Sequence, residues 1–150
     1  EGCSTTRARA ANAADATPLV PQDLLAIGQG VWERARVVLH PSVELVSSPH
    51  PVLAIWEAHQ APGGPAPIQN WRGEDVLVAR PDLAVVATRL PPGGFAFLDA
   101  LQRRATIAQA HRRAAAAAEF DLVQALAQLF SLGLVVAVEE HPGARPLCAR

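Results

Sequence analysis

Two short runs of alternating apolar and polar side chains, at residues 75–80 and 83–89, place the tightest constraint on how this chain can fold. Pro81 and Asp82 separate the runs. Proline fixes φ near the value that a turn requires, and aspartate tolerates the position beside it, so the pattern predicts a β-hairpin. Because the second strand is fairly apolar on both faces, we expect both faces to be covered and its edge to need a partner.

Three helices are predicted to follow the hairpin, and their bounds are residues 95–104, 106–117 and 121–131. Thr106 and Gln109 have the spacing of a capping box, in which the hydroxyl accepts a backbone N–H and the amide side chain reaches back. Asp121 should cap the third helix at its start and Gly133 should end it. A last apolar run at residues 134–138 is expected to close the sheet of the hairpin.

The helices should face the core through the apolar side chains Phe97, Leu98 and Leu101 of the first and Val123, Leu126, Leu129 and Phe130 of the third. A hairpin, three helices and a closing strand follow one another in the order of a winged helix-turn-helix domain. The predicted fold class is therefore α+β. Such a fold binds a nucleic acid, a peptide or a protein, and it rarely carries out chemistry.

A smaller α/β segment, at residues 18–60, precedes this domain, which spans residues 71–139. A linker at 61–70 is predicted to join the two. The remaining residues are predicted to form a flexible tail at 1–17 and a second tail at 140–150. Within the segment, Val52, Ile55, Trp56 and His59 recur at three- and four-residue spacing, as on one helix face. We expect Trp56 to anchor the core there. His59 is interpreted as a packed or capping histidine rather than a metal ligand.

The composition excludes several classes of function. The formal net charge is −1, and all 13 basic residues are arginine, so no electrostatic excess favours nucleic acid or an anionic membrane. No apolar run approaches the ~18 residues that a membrane span needs. Cys3 and Cys148 form neither a disulfide framework nor a CxxC motif, and we interpret them as free thiols of a cytoplasmic protein.

The sequence contains no recognisable catalytic or metal-binding motif. Its five histidines are scattered, without HxH or HExxH spacing, and no phosphate-binding glycine loop or nucleophile elbow is present. We therefore predict a protein that is not an enzyme and has no metal or cofactor of its own. In a helix-turn-helix domain the recognition helix would be residues 121–131, which carry no arginine or histidine, and this argues against DNA.

One motif of the N-terminal segment resembles a known family. Ser48-Pro49-His50-Pro51-Val52, followed by Ile55-Trp56, is similar to the SP(H/Y)PVxxIW core of bacterial partner proteins that accompany multinuclear non-haem iron oxidative enzymes. Residues 95–110 are similar to the FxFLxALxxxATxxxA stretch in the second half of the same proteins. Methanobactin biosynthesis is the best-known setting of that family.

Residues 75–138 also resemble the PqqD-like element that recognises precursor peptides, with strands, then three helices, then an exit at Gly133-Leu134-Val135. The resemblance implies that the chain binds the leader of a ribosomally made precursor peptide. It would then present the peptide to the iron enzyme, which oxidises cysteines of the peptide and supplies all of the iron ligands. The chain and the enzyme would form a heterodimer.

PqqD-like elements bind a leader as an added strand beside the third helix. On that basis we assign leader binding to the second hairpin strand and the third helix, through Leu83, Val85, Val86, Ala87, Thr88, Val123, Gln124 and Ala127. Proline at Val86 should weaken leader binding if the backbone donor of that residue faces the peptide. We assign the contact with the enzyme to His50, Trp56 and His59.

Two alternatives remain open from the sequence. The first is a winged-helix transcription regulator, which heparin retention with a steep salt dependence would favour. The second is a stand-alone metal- or thiol-binding protein that uses the tail cysteines and the histidines. Stoichiometric zinc or copper in the purified chain would favour it.

Overall fold

A computed structural model describes residues 29–117 and 119–140 of the chain. The elements in chain order are α1 (Gln29–Trp32), β1 (Ala35–Leu39), β2 (Glu44–Ser48), α2 (Val52–Gln60), β3 (Glu74–Ala79), β4 (Val86–Arg89), α3 (Gly94–Gln102), α4 (Ile107–Ala114), α5 (Leu122–Ser131) and β5 (Val135–Glu140). The fold class is α+β, as predicted. The tail predicted at 1–17, residues 18–28 and residues 141–150 lie outside the described residues, and so do both cysteines.

The strands form two antiparallel sheets. One has three strands in the order β2-β3-β4, and the other pairs β1 with β5. The predicted hairpin is the β3–β4 pair, in which Val76 lies opposite Arg89 and Ala79 lies opposite Val86. Strand β4 is therefore an edge of the three-stranded sheet among the described residues, and strand β2 is the other edge.

The two faces of the three-stranded sheet have different covers. Leu77 and Ala79, which alternate onto one face, are 1% exposed and join the core cluster that also contains Phe97, Leu126 and Leu129 from the helices. On the opposite face Val76 is buried, and helix α2 covers the ends of β3 and β4. This second face is therefore covered only in part, because Val78 and Ala87 are partly exposed and Arg89 is exposed.

The capping predictions for the last two helices are confirmed. Thr106 Oγ1 accepts the Gln109 N–H at 3.3 Å, and the Gln109 side chain accepts the Thr106 N–H at 3.0 Å. Asp121 Oδ1 accepts the N–H groups of Val123 and Gln124 at the start of α5. Gly133 adopts φ +66°, a left-handed conformation that costs glycine no steric clash and that ends the helix.

The predicted start of the second hairpin strand is wrong. Strand β4 begins at Val86, and residues 80–85 form a loop instead of a two-residue turn. The Arg80 N–H donates to Ser42 Oγ at 2.9 Å, which holds residue 80 toward the β1–β2 connection, and Pro81 has no N–H for the ladder. Leu83 takes the left-handed φ of +65° and is 90% exposed, so neither Leu83 nor Val85 belongs to the strand.

The predicted partner of the closing strand is also wrong. Strand β5 pairs with β1, with Val37 opposite Val138, and does not join the sheet of the hairpin. The chain is helical through Trp32 and extended from Ala35. Ala35 and Val37 are buried in the same core cluster as the helices, so β1 and β5 together cover the side of the core that the hairpin leaves open.

Two predicted core residues are exposed. Trp56 is 53% exposed, because α2 turns Leu53 toward the sheet and Trp56 toward its flank. Val123 is 59% exposed, because the inward stripe of α5 is centred on Leu126 and Leu129. Phe97, Leu98 and Leu101 are buried as predicted, and so are Leu126, Leu129 and Phe130.

Candidate functional site

The outer edge of β4 is the feature from which a binding site can be built. The Leu90 N–H donates to the Asp75 carbonyl at 2.8 Å, so residue 90 directs its backbone groups toward β3. In an antiparallel ladder this direction alternates along the strand. Val86 and Thr88 therefore also face β3, whereas the N–H and C=O groups of Ala87 and Arg89 point away from it. An extended peptide alongside β4 could therefore form hydrogen bonds with the N–H and C=O groups of Ala87 and Arg89.

Helix α5 forms the second wall beside this edge. Gln128 Nε2 donates to Thr88 Oγ1 at 3.3 Å, which ties the middle of the helix to β4. A groove of about 640 Å³ follows the helix, and its lining residues are Pro91, Glu119, Asp121, Gln124, Ala125, Ala127, Gln128 and Ser131. Thr88 of β4 contacts Gln128, whereas Gly93, later in the chain, lies close to Phe120, just before the helix begins, so the strand and the helix run in roughly opposite directions.

The structure brings together only some of the residues assigned to leader binding. Gln124 and Ala127 line the groove, and Ala87 lies on the outward edge of β4 without lining the groove. Val86 and Thr88 belong to β4, with their backbone groups turned to β3. The other three assigned residues, Leu83, Val85 and Val123, lie in the exposed loop or on the exposed flank of α5 and do not line the groove.

Sequence reasoning missed Gln128 and Ser131, which complete the groove wall of α5. A signal was present, because Gln124, Gln128 and Ser131 recur at four- and three-residue spacing opposite the apolar stripe. Pro91, which also lines the groove, was not among the residues assigned to the site. Its place between the groove and the end of β4 depends on tertiary packing, which the local sequence does not report.

A network of charges holds α2 against the other face of the sheet. Glu74 Oε2 accepts the Leu53 N–H at 2.8 Å and the Ala54 N–H at 3.3 Å, at the first turn of α2. Arg89 binds Glu74 Oε1 through Nε at 2.6 Å and Glu57 Oε2 through Nη2 at 2.7 Å. One end of β4 is thereby tied to α2 as well as to β3.

The network sets the protonation of Glu74. Burial raises the pKa of its carboxyl, but the hydrogen bond from Arg89 and those from the Ala54 and Leu53 N–H groups lower it, and together they hold the pKa below its ordinary value of 4.5. The bond to Glu74, followed by the bond to Glu57, raises the pKa of Arg89. The carboxylate is therefore ionised throughout the neutral range.

A second, larger groove lies on the α2 side of the same strand end. Its volume is about 890 Å³, and its walls are α2, the connection before β3 and the residues that follow β4. Ala54 and Ala58 of α2, and Ala61 directly after it, line this groove, and their small side chains leave the space open. Pro91 lines both grooves, so the two are neighbours at that residue.

The residues assigned to the enzyme contact lie on or next to α2. His50 precedes the helix and is exposed, Trp56 is half exposed, and His59 is exposed near the end of the helix. Nδ1 of His59 lies 2.7 Å from the Ile55 carbonyl oxygen and donates to it, as expected of a capping histidine. These side chains do not line either groove.

Within residues 29–117 and 119–140, no three His, Cys, Asp or Glu side chains are grouped as a metal ion would require. Over the same part of the chain, no helix has both the length and the apolar character needed to cross a membrane. Comparison of the chain with family models, with curated proteins and with solved structures finds no match.

Proposed function

We propose that this chain is a non-catalytic partner subunit that binds the leader of a ribosomally made precursor peptide. The observation that carries the proposal is the outward edge of β4, with the backbone groups of Ala87 and Arg89 turned away from β3 and the groove of α5 beside it. An extended peptide would add to β4 as a fourth strand. Main-chain hydrogen bonds would supply affinity, and side chains of α5 would supply specificity.

The arrangement supports a PqqD-like interpretation in its order of elements. A three-stranded antiparallel sheet is followed by α3, α4 and α5, and the last of these lies beside the edge strand. Helix α2 is an insertion between the first two strands of that sheet. The stretch that resembles the partner proteins of iron enzymes, around His50 and Trp56, lies on this insertion and on the turn before it.

We further propose that α2 carries the contact with a multinuclear non-haem iron enzyme, which would oxidise cysteines of the bound peptide. The half-exposed Trp56 supports this assignment, because tryptophan is enriched at the buried centres of protein interfaces. The iron and its ligands would belong to the enzyme. This chain would bind the peptide and hold it in position for the enzyme.

Strand addition can be tested with a displayed library of random dodecapeptides selected on the full chain, and with the selected peptides labelled for fluorescence anisotropy. Ala87→Pro removes an N–H that points away from β3, at a kind of edge position where proline is tolerated. Binding should fall at least ~10-fold, since a main-chain bond is lost and the ring occupies the edge. Proline at Val86 would instead break the ladder with β3, so it is not a clean test.

Ala87→Ser is the matched control, because it alters the side chain and keeps the backbone donor. It should bind selected peptides about as the unmodified chain does. Circular dichroism should show both variants folded. Equal peptide binding by folded Ala87→Pro and Ala87→Ser would reject the β4 edge as the site.

A DNA-binding role would require a positively charged surface on α5 instead of an uncharged one. Helix α5 would enter a groove of the duplex, where phosphates must meet cations, yet Leu122–Ser131 carries no arginine, lysine or histidine. We therefore expect the chain to pass through a heparin column at low salt. Retention that falls steeply with salt would support a winged-helix regulator instead.

A further inference from the structure

The junction between the two grooves determines what kind of peptide fits. Arg89 is the last residue of β4 whose N–H points outward, because the Leu90 N–H is used by Asp75 and neither Pro91 nor Pro92 has an N–H. A peptide that pairs with β4 loses main-chain partners at this point. Beyond it the chain offers the peptide no outward N–H until after Pro92, so side chains must supply more of the recognition there.

The charge at the junction is negative. The two grooves are lined by the carboxylates Glu57, Glu74, Asp75, Glu119 and Asp121 and by the cations Arg72 and Arg89. Arg89 is already paired with Glu57 and Glu74 at 2.7 and 2.6 Å, so it offers no charge of its own to a ligand. An acidic segment would meet repulsion here, and a basic one attraction.

Glu119 and Asp121 line the groove of α5 together with Pro91, and Gly93, two residues after Pro91, lies close to Phe120 between the two carboxylates. Asp121 uses Oδ1 to cap the helix, and the cap does not use its other oxygen. The start of the helix contributes roughly half a positive charge, which is less than the two negative charges of these carboxylates. The local field therefore remains negative at the point where the peptide passes.

We propose that the bound peptide is cationic where it passes Pro91, with an arginine or lysine beside Glu119 and Asp121, and that it continues from there into the groove of α2. This inference rests on the proposed function, since it concerns the same peptide. The continuation follows from the shared residue Pro91 and from the small side chains that leave the α2 groove open. A path of this kind would carry the peptide from β4 toward the helix that bears Trp56.

The test uses the dodecapeptide library selected on the full chain. Selected sequences should carry arginine or lysine at one fixed position relative to their common core. A second selection on the variant Glu119→Gln/Asp121→Asn should lose that preference. Asparagine is as good an N-cap as aspartate, so this variant removes charge and keeps the start of α5 intact.

Fluorescence anisotropy of one selected, labelled peptide measures how much each carboxylate contributes to peptide affinity. Each neutralised carboxylate should weaken binding about two- to five-fold, as for a solvent-exposed ion pair, and less in high salt. Glu33→Gln is the charge-matched control, because Glu33 is exposed and lines neither groove. Ala58→Trp should also weaken peptides that extend past the core, by filling the groove of α2.

Two outcomes would overturn the inference, and they differ in what else they reject. Selected peptides without a basic preference, whose binding is still lost in Ala87→Pro, would reject the cationic junction and leave strand addition in place. Peptides whose binding is unaffected by Ala87→Pro would reject both.

Discussion

The two faces of the three-stranded sheet are held by different forces. On one face Leu77 and Ala79 pack among apolar side chains of α3 and α5, with exposures near 1%. On the other, α2 is held by Glu74 and Arg89, whose side chains keep 13% and 48% exposure, together with the buried Leu53. The stability that the charged face contributes should therefore depend on pH and salt, whereas the stability from the apolar face should depend on them much less.

The largest effect should come from the apolar face. Phe97 is 0% exposed and its ring centroid lies 5.1 Å from that of Phe120. Phe97→Ala removes this contact and leaves a cavity, so the free energy of unfolding should fall by ~3–5 kcal/mol. Chemical denaturation measures it. A loss below ~1 kcal/mol would mean that the core is not centred on this helix.

An intermediate effect is expected on the charged face. Glu74→Gln weakens the bonds to Arg89 and to the first turn of α2, which should cost ~1–3 kcal/mol. Glu57→Gln makes the same chemical change at the exposed partner of Arg89, and it should cost at most ~0.5 kcal/mol. Similar losses from the two variants would show that burial at Glu74 does not matter.

The same carboxylate predicts how stability depends on pH. The pKa of Glu74 in the folded chain lies below its ordinary value of 4.5, so its contribution is complete above that pH and is lost as pH falls through the folded value. The difference in unfolding free energy between the unmodified chain and Glu74→Gln should therefore shrink below about pH 4.5. A difference that stays constant from neutral pH to pH 3 would contradict the assignment.

The smallest effect on stability is expected at Trp56. Half of this side chain is exposed, so Trp56→Ala should change the free energy of unfolding by only ~0.5 kcal/mol, although it should weaken capture of an iron-containing enzyme from the native host. His59→Ala, on the same helix, serves as a second variant. A stability loss of ~3 kcal/mol would instead return Trp56 to the core.

The sequence predicted what local chemistry controls. The capping box at Thr106, the cap at Asp121 and the left-handed Gly133 each depend on residues within a few positions of each other, and all three were confirmed. The buried faces of α3 and α5 could also be predicted, because apolar residues that recur with helical periodicity lie on one face of a helix. These features placed the third helix within two residues of its observed bounds.

The errors share a non-local cause. The start of β4 depends on the bond from Arg80 to Ser42, which are far apart in sequence. The partner of β5 is β1, about a hundred residues earlier in the chain, and no local pattern distinguishes it from the hairpin. Trp56 has the spacing of a core residue, but the bonds from Glu74 to α2 fix which face of that helix meets the sheet.

The candidate site was predicted in part for the same reasons. The apolar hairpin strand and an uncharged third helix indicated where a peptide could lie. The direction of each backbone group along β4 depends on the register of the β3–β4 pair, in which Val76 lies opposite Arg89. The sequence of one strand alone does not determine that register. That is why proline at Val86 was expected to remove a donor that the observed register turns toward β3, whereas the N–H of Ala87 points away from β3.

Residue-resolved hydrogen exchange of the β4 amides, with and without a selected dodecapeptide, tests strand addition most directly. Bound peptide should slow exchange of the Ala87 and Arg89 amides strongly. It should change the Val86 and Thr88 amides much less, because they already face β3. Unchanged exchange at Ala87 and Arg89, under conditions where anisotropy shows the peptide to be bound, would contradict the claim that the β4 edge is the peptide-binding site.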